Sequence, residues 1–162
     1  MHCVSLHQYW ASLMEVGAKK IETRHWSTNY RGPLAIQAAG MLYGYVRDEY
    51  NKNESVRAVL REHFGVKNFY EIRRKLPFGS VVCTVDLTDV IQVPTLPLTT
   101  LDDLVPEPCK TENWQAFGDF RPGRFLWLTT NLRRLREPVK LKARQNVWPL
   151  TEHVIAEITK RI

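Results

Sequence analysis

The chain has 162 residues, of which 44% are hydrophobic and 25% are charged, a composition typical of one globular domain. No stretch approaches the roughly 18 apolar residues that cross a bilayer, and the first residues lack the basic start and apolar run of a secretory signal. We therefore expect a cytoplasmic protein that does not bind membranes. Because no repeat or linker divides the sequence, residues 1–162 are predicted to form a single domain.

The cysteines Cys3, Cys83 and Cys109 are far apart in the chain. No Cys-x-x-Cys or Cys-x-x-His pair is present, so neither a zinc-binding spacing nor a disulfide framework is supported. We expect three reduced thiols, with Cys3 and Cys83 in the core, and we predict neither a metal nor a cofactor.

The net charge is +6, and the charges are unevenly distributed along the chain. Residues 77–119 hold seven acidic residues and one basic residue, whereas residues 120–146 hold eight basic residues and one acidic residue. The folded chain should therefore carry a basic surface beside an acidic one, and basic surfaces attract polyanions such as nucleic acids. The same charges also suit a surface that is merely solvated, so charge alone does not decide between the two.

The first forty residues are predicted to form short elements with clear boundaries. Gly17 follows the first helix and is suited to end it, because glycine accepts the left-handed conformation found after helices. In chain order we predict a strand at 2–6, a helix at 8–16, a strand at 19–26, a turn at 30–33 and an apolar strand at 34–39.

The rest of the chain alternates helical and extended patterns without regular βαβ order. Apolar residues at helical spacing predict two helices within residues 46–76, separated at Gly65. After them we predict a long strand at 79–93, an acidic proline-rich segment at 94–123 with a short helix near 113–117, a strand at 124–130 that continues extended to 142, and a closing helix at 152–162. Strands with peripheral helices in this order indicate an α+β fold on an antiparallel sheet or small barrel.

Residues 17–32 hold most of the chemically active side chains. Because side chains alternate along a strand, Lys20, Glu22 and Arg24 should share one face. Three charges cannot be buried without partners, so they should line a solvated edge or a polar cleft. An ordinary ladder of surface charges is the alternative, and Lys19, close to the end of the first helix, can instead interact with helix carbonyls.

This window resembles the ASCH family, whose hallmark is Gly-x-Lys-x-x-Glu-x-Arg; Gly17, Lys19, Glu22 and Arg24 match it. Four other segments resemble the family in the same order. Gln8-Tyr9-Trp10 resembles its Gln-Pro-Trp opening, and Trp26 with Tyr30-Arg31-Gly32 resembles its Trp-Tyr-Arg-Gly segment. Pro122-Gly123-Arg124-Phe125 with Trp127 resembles its late strand, and Ala143 to Trp148 resembles its closing Gly-Arg-Gln-Gly-x-Trp. The resemblance runs from about residue 3 to residue 148. Tyr9 stands where the family has proline, and the closing segment lacks both glycines.

The resemblance implies a PUA-like fold, a small mixed or antiparallel β-barrel with peripheral helices and a cleft around the motif strand. Residues 46–76 would be a helical insertion in this single ASCH domain, and the acidic segment 94–119 is expected to shape one wall of the cleft. The family is associated with RNA and coactivator functions. Some small members remove acyl groups from N4-acetylcytidine, and others have been linked to RNA cleavage.

Our first interpretation is a module that binds RNA or a modified nucleotide, with DNA as a second candidate. Arginine and lysine bind phosphates, and aromatic rings stack on exposed bases. Trp10, Trp127 and Trp148 are expected in the core, and nothing in the sequence fixes the oligomeric state. The predicted binding residues are Lys19, Lys20, Arg24, Trp26, Tyr30, Arg31, Arg124 and Arg144.

Three alternative functions stay open. In an amidohydrolase acting on N4-acylated cytidine, Lys19 would be a base or electrostatic stabiliser and Glu22 a general base, although these amidohydrolases have threonine at the position of Glu22. A metal-independent ribonuclease would use Lys19 with Tyr30, Arg31 and His25. A protein-interaction adaptor would use the helices at 46–76.

Overall fold

The structure, a computed structural model, describes residues 1–96 and 99–162. One six-stranded mixed sheet curls into a half-barrel, and the helices lie at its periphery, which confirms the predicted α+β class. The strands are β1 His2–Leu6, β2 Ile21–Arg24, β3 Gly32–Ala38, β4 Ser80–Gln92, β5 Phe125–Lys140 and β6 Val147–Pro149. The helices are α1 Trp10–Glu15, α2 Val46–Lys52, α3 Glu54–Phe64, α4 Ile72–Lys75, α5 Leu101–Leu104 and α6 Glu152–Thr159.

Within the part of the chain that the structure describes, the strands follow the order β2-β5-β4-β3-β1-β6, and only the pair β1 and β3 is parallel. The long strands β4 and β5 lie side by side, and their pairing shifts register between Val81 and Cys83, between Thr84 and Asp86, and between Leu87 and Asp89. Irregular pairing of this kind bends a strand and increases its twist, so it accounts for the curl of the sheet.

The central core lies between the sheet and helix α1. Ala11 and Met14 of α1 pack against apolar residues of β3, β4 and β5, among them the fully buried Trp127. All three cysteines are buried, as predicted for Cys3 and Cys83, and burial raises the pKa of the Cys3 thiol to about 12. Trp148 is also buried, as expected.

The helical segment after β3 has one more break than the sequence indicated. The predicted break at Gly65 is confirmed, because this residue ends α3 with a φ of +63°. A second break falls at Asn53, which ends α2 and caps α3 by accepting a hydrogen bond from the Val56 N–H at 3.0 Å. A 3-10 turn at Phe69–Glu71 precedes the short helix α4.

Other boundaries differ from the prediction. Strand β2 has only four residues, whereas we predicted residues 19–26, and β6 was not predicted because three residues give no periodicity. The extended segment after residue 124 is a single strand, β5. Within the described residues, no helix has the length and apolar character needed to cross a membrane.

The acidic segment before β5 packs along β2 and α1. The Asp119 N–H donates to Thr23 Oγ1 at 2.9 Å, and the Thr111 hydroxyl donates to the Ala18 carbonyl. Because these bonds fix the segment against β2, it forms one wall of a cleft, and β2 forms the floor.

Candidate functional site

A polar cleft of about 390 Å³ lies between β2, the start of α1, helix α2 and the acidic segment. This volume lies at the lower end of the range of about 300–1,000 Å³ that is usual for small-molecule sites. The cleft is lined by Leu6, His7, Trp10, Lys19, Glu22, Thr23, Arg24, His25, Tyr45, Glu49, Gly118, Asp119 and Arg124.

The Lys19 side chain forms part of the floor and is 2% exposed. Gly17, with a φ of +78°, reverses the chain after α1 and brings Lys19 to the start of β2. The Lys19 Nζ donates to the carbonyls of Ile21, at 2.6 Å, and of Phe117, and it lies 3.3 Å from Glu22 Oε2. Burial lowers the pKa of Lys19, and the Glu22 carboxylate partly opposes this effect. An ammonium group has three hydrogens, and here each has an oxygen partner.

The Glu22 carboxylate is held between two cations. Its Oε1 lies 2.8 Å from Arg24 Nε, and its Oε2 faces Lys19. Strand alternation places Glu22 and Arg24 on the same face, as predicted, while Ile21 packs into an apolar cluster on the other face. The result is an oriented carboxylate in the floor of an open cleft, on a side chain that is 12% exposed.

Two arginines approach the cleft from different strands. Arg24 Nη2 donates to the Ser5 carbonyl at 2.7 Å, and its guanidinium lies 5.8 Å from the Trp26 ring centroid. Arg124, which precedes β5, donates to the Thr23 carbonyl at 3.2 Å and pairs with Asp119 at 3.4 Å. Each guanidinium has five N–H donors, and these contacts use only part of them. Both side chains are therefore positioned to bind an anion.

Aromatic residues stand beside these charges. Trp10 packs against two clusters of buried apolar residues, as expected, but it is only half-buried and also lines the cleft, with its ring 5.4 Å from Lys19 Nζ. Tyr45 lies at the opening and is 64% exposed. Burial, followed by the nearby Arg24 charge, lowers the pKa of His7, so its imidazole is neutral at pH 7.

Two further carboxylates complete the cleft. Burial raises the pKa of Glu49, and the cation of Lys19 partly opposes this shift. The Asp119 pKa is lowered, chiefly by its hydrogen bond from Arg121. No sequence pattern pointed to His7, Tyr45 or Glu49 as site residues, because their segments meet only after folding. Asp119 belongs to the acidic segment that was expected to form a wall.

The structure brings five of the sequence-predicted residues together in the cleft: Lys19, Glu22, Arg24, Arg124 and His25, the last named for the ribonuclease alternative. Trp26 lies behind Arg24 and packs edge-to-face on Trp127 at 4.8 Å. The Lys20 side chain points elsewhere. Its Nζ donates to the Pro108 carbonyl at 3.0 Å, beside a separate, mostly apolar cavity of about 320 Å³.

The other three predicted residues do not join the cleft. The Tyr30 ring packs on His2 at 4.0 Å, and Arg31 pairs with Asp89 at 3.0 Å at the start of β3. Arg144 is exposed in the segment that precedes β6. These three residues therefore lie outside the cleft, because the chain after β2 leads away from it to the start of β3, and Arg144 belongs to the segment before β6.

The curled sheet and the charged cleft at its edge strand define a small α+β domain that presents an oriented carboxylate among arginines. The chain belongs to the ASCH family, because the ASCH domain model matches residues 4–138. The resemblance seen in the sequence is thereby confirmed.

Two curated relatives match parts of the chain. Activating signal cointegrator 1 of Mus musculus is 35% identical over 89 residues, which are 55% of this chain and 14% of that protein. Activating signal cointegrator 1 of Homo sapiens is 53% identical over 36 residues, which are 22% of this chain and 6% of that protein. The chain therefore corresponds to a small part of these relatives.

The fold matches solved structures over nearly its whole length. The crystal structure of ASCH from Zymomonas mobilis has a TM-score of 0.53 and 13% identity, covering 98% of this chain and 93% of that chain. A mutant of the Zymomonas mobilis protein gives the same TM-score with 14% identity, covering 98% of this chain and 94% of that chain. At this identity the likeness establishes the fold.

Proposed function

We propose that the cleft binds RNA, or a modified nucleotide, by reading the edge of one base. The observation that supports this proposal most directly is the Glu22 carboxylate, which Lys19 and Arg24 orient within an open cleft. A fixed carboxylate accepts hydrogen bonds from an amino group such as cytosine N4, and this is the usual pairing of acidic side chains with bases. Loosely held surface carboxylates discriminate poorly because they adapt to many donors.

The surroundings of Glu22 suit the rest of a nucleotide. Arg24 and Arg124 both line the cleft, where they can contact phosphate. Trp10 and Tyr45 supply ring faces within the same cleft, and aromatic stacking favours bases that are not in a duplex. This combination favours single-stranded RNA or a nucleotide over duplex DNA. We also propose that residues 1–162 form one ASCH domain, with the helices of residues 46–76 as an insertion.

A second candidate is an amidohydrolase acting on N4-acylated cytidine, and two observations favour it. Burial lowers the pKa of Lys19 and raises that of Glu49 in one cleft, as is common for groups that transfer protons. However, the three oxygen partners of the Lys19 ammonium stabilise its charged form and occupy its hydrogens. We therefore place binding before catalysis, and ribonuclease activity through His7 or His25 after both.

Two measurements test the proposal. Titration calorimetry with short single-stranded RNAs that differ at one base should show a preference for cytosine, which Glu22→Gln reduces because a neutral amide oxygen is a weaker acceptor than a carboxylate. Arg31→Ala is the matched control, because Arg31 pairs with Asp89 outside the cleft. Equal affinity for all four bases in the wild type would contradict base reading. Loss of N4-acetylcytidine absorbance that requires Lys19 would instead establish the amidohydrolase.

A further inference from the structure

A pair of stacked tyrosines stands on the surface at the mouth of the cleft. Tyr43 and Tyr45 lie in the loop between β3 and α2, and their ring centroids are 5.7 Å apart with an interplanar angle of 21°. The His7 ring meets both edge-on, at 5.0 Å from Tyr43 and 6.3 Å from Tyr45. Tyr43 is nevertheless 40% exposed and Tyr45 64% exposed. Large aromatic faces are thus left in water beside a polar cleft.

The backbone that carries these rings is anchored on both sides. Leu42, between Gly40 and the tyrosines, packs against a cluster of buried apolar residues from helices α2, α3 and α4, and Val46 is buried. The Val46 N–H donates to the Tyr43 carbonyl at 3.2 Å, which closes a turn. Arg73 Nη1 donates to the Gly40 carbonyl at 2.8 Å. Because its backbone is fixed, the loop presents the tyrosines at the cleft instead of folding them into the core.

A base that continues this stack would belong to the nucleotide beside the one in the cleft. Tyr45 lines the cleft, whereas Tyr43 lies beyond it, so the stack runs outward from the opening. Base stacking on an aromatic face contributes about 5- to 150-fold in affinity per base and tolerates any sequence. Protein partners usually require a continuous interface of about 1,000 Å² or more, and these few rings instead border arginines that attract phosphate.

We propose that Tyr43 and Tyr45 form a stacking platform for a neighbouring nucleotide, so that the ligand is a single-stranded RNA segment and not a free nucleotide. This inference rests on the proposed function of the cleft, and it assigns a second binding element that extends the site along the strand. The cleft selects one base, and the tyrosine platform adds affinity for the strand without selecting its sequence.

The test compares ligand lengths in variants that keep or remove the ring faces. Dissociation constants for cytidine monophosphate and for a cytidine-containing RNA trimer are measured with the full chain. Tyr43→Leu/Tyr45→Leu removes the stacking faces, and Tyr43→Phe/Tyr45→Phe keeps them. Tyr70→Leu is the control, because Tyr70 is 78% exposed and packs on Phe69, outside the cleft. Melting temperatures verify that each variant is folded.

The wild type should bind the trimer at least fivefold more tightly than the monophosphate. The double leucine variant should lose this advantage, whereas the double phenylalanine variant and Tyr70→Leu should keep it. If the leucine and phenylalanine variants behave alike, the platform is rejected and the rings become candidates for a protein contact. If the wild type binds both ligands equally, the platform is rejected but the cleft proposal stands. If it binds neither, both are rejected.

Discussion

The Lys19 ammonium and the Glu22 carboxylate face each other at 3.3 Å with only 2% and 12% of their side chains exposed. Removing two charges from water costs several kcal/mol per ion, so such a pair persists only when its remaining hydrogen-bonding capacity is used. Here two backbone carbonyls complete the shell of Lys19, and Arg24 holds the second oxygen of Glu22. Lys19 and Glu22 remain charged at nearly buried positions because these contacts replace the lost water.

Replacing Lys19 with methionine should therefore destabilise the fold. The change leaves the Glu22 carboxylate with one cation instead of two and frees two buried carbonyls. We expect a loss of about 3–5 kcal/mol in the free energy of unfolding, which is the usual cost of breaking a buried ion pair from one side. Urea denaturation followed by circular dichroism measures this loss.

Two companion variants make this result specific. Lys142→Met changes an exposed lysine and should stay within about 0.5 kcal/mol of the wild type. Lys19→Met/Glu22→Gln also removes the charge of Glu22 and should recover part of the lost free energy of unfolding. Burying a neutral glutamine costs less free energy than burying an incompletely paired carboxylate. Wild-type stability in Lys19→Met would show that the pair contributes little.

Arg124 gives the sharpest test of phosphate contact. Each phosphate contact with single-stranded nucleic acid contributes about 0.7 to the slope of log affinity against log salt concentration. We expect Arg124→Ala to reduce this slope by about that amount and to weaken binding of all RNA sequences alike. Arg144→Ala is the matched control and should leave the slope unchanged, because Arg144 lies before β6 and not in the cleft. If Arg144→Ala reduced the slope and Arg124→Ala did not, the phosphate would instead be bound by the basic segment between β5 and β6.

The sequence predicted the fold well where local pattern decides structure. The strand at 2–6, the break at Gly65 and the long strand after Gly79 are all close to their predicted bounds. Gly65 is a strong signal because it takes the left-handed conformation, whereas the break at Asn53, a favoured N-cap residue, depends on the hydrogen bond that its side chain accepts from Val56. Strand β6 was not predicted, because it is defined by its pairing with β1, a contact between segments far apart in the sequence.

The site was harder to predict because it depends on where side chains point. Alternation along β2 correctly paired Glu22 with Arg24, but Lys20 lies before the first strand residue and turns to the Pro108 carbonyl. The turn after β2 carries Tyr30 and Arg31 away from the cleft. Proximity in sequence therefore wrongly indicated that these residues line the cleft. Residues from α2 and the acidic segment line it only because the fold brings their segments next to β2.

Binding to the cleft should depend on pH through Glu49. Burial raises the pKa of this carboxyl group, with Lys19, Tyr9 and Asp119 as its neighbouring titratable groups. Above that pKa the group is an anion that repels phosphate, and below it the group is neutral. Affinity for RNA should therefore rise as the pH falls toward 5. Dissociation constants measured between pH 5 and 8 at constant ionic strength test this dependence.

Glu49→Gln separates the contribution of Glu49 to the pH dependence of RNA binding from that of His7. The pKa of His7 is lowered, so this imidazole is protonated only at a lower pH than usual. The variant should bind RNA more tightly than the wild type at pH 7, and its affinity should change less on acidification. Glu54→Gln is the control, because Glu54 is exposed at the start of α3 and pairs with Arg57. Identical pH profiles for Glu49→Gln and the wild type would remove Glu49 from the binding site.

Gly118 couples the acidic wall to the floor of the cleft. A Cβ at this position would lie 2.8 Å from Thr23 Cγ2 and 3.1 Å from the Phe120 ring, although the extended backbone suits any residue. Thr23 cannot rotate away without losing the hydrogen bond that its Oγ1 accepts from Asp119. Gly118→Ala should therefore displace the wall and cost about 1–3 kcal/mol in unfolding free energy.

The same displacement should weaken RNA binding, because the Phe117 carbonyl next to Gly118 is one of the acceptors that hold Lys19. Gly40→Ala is the matched control. A Cβ there meets no atom within 4 Å, and its φ is not positive, so both stability and affinity should stay close to the wild type. If Gly118→Ala lost stability but bound RNA normally, the wall would support the fold without shaping the cleft. If Gly118→Ala kept both wild-type stability and wild-type RNA affinity, the acidic segment would be able to shift over β2 without cost. The positions of Lys19 and Glu22 in the floor would then not depend on this segment.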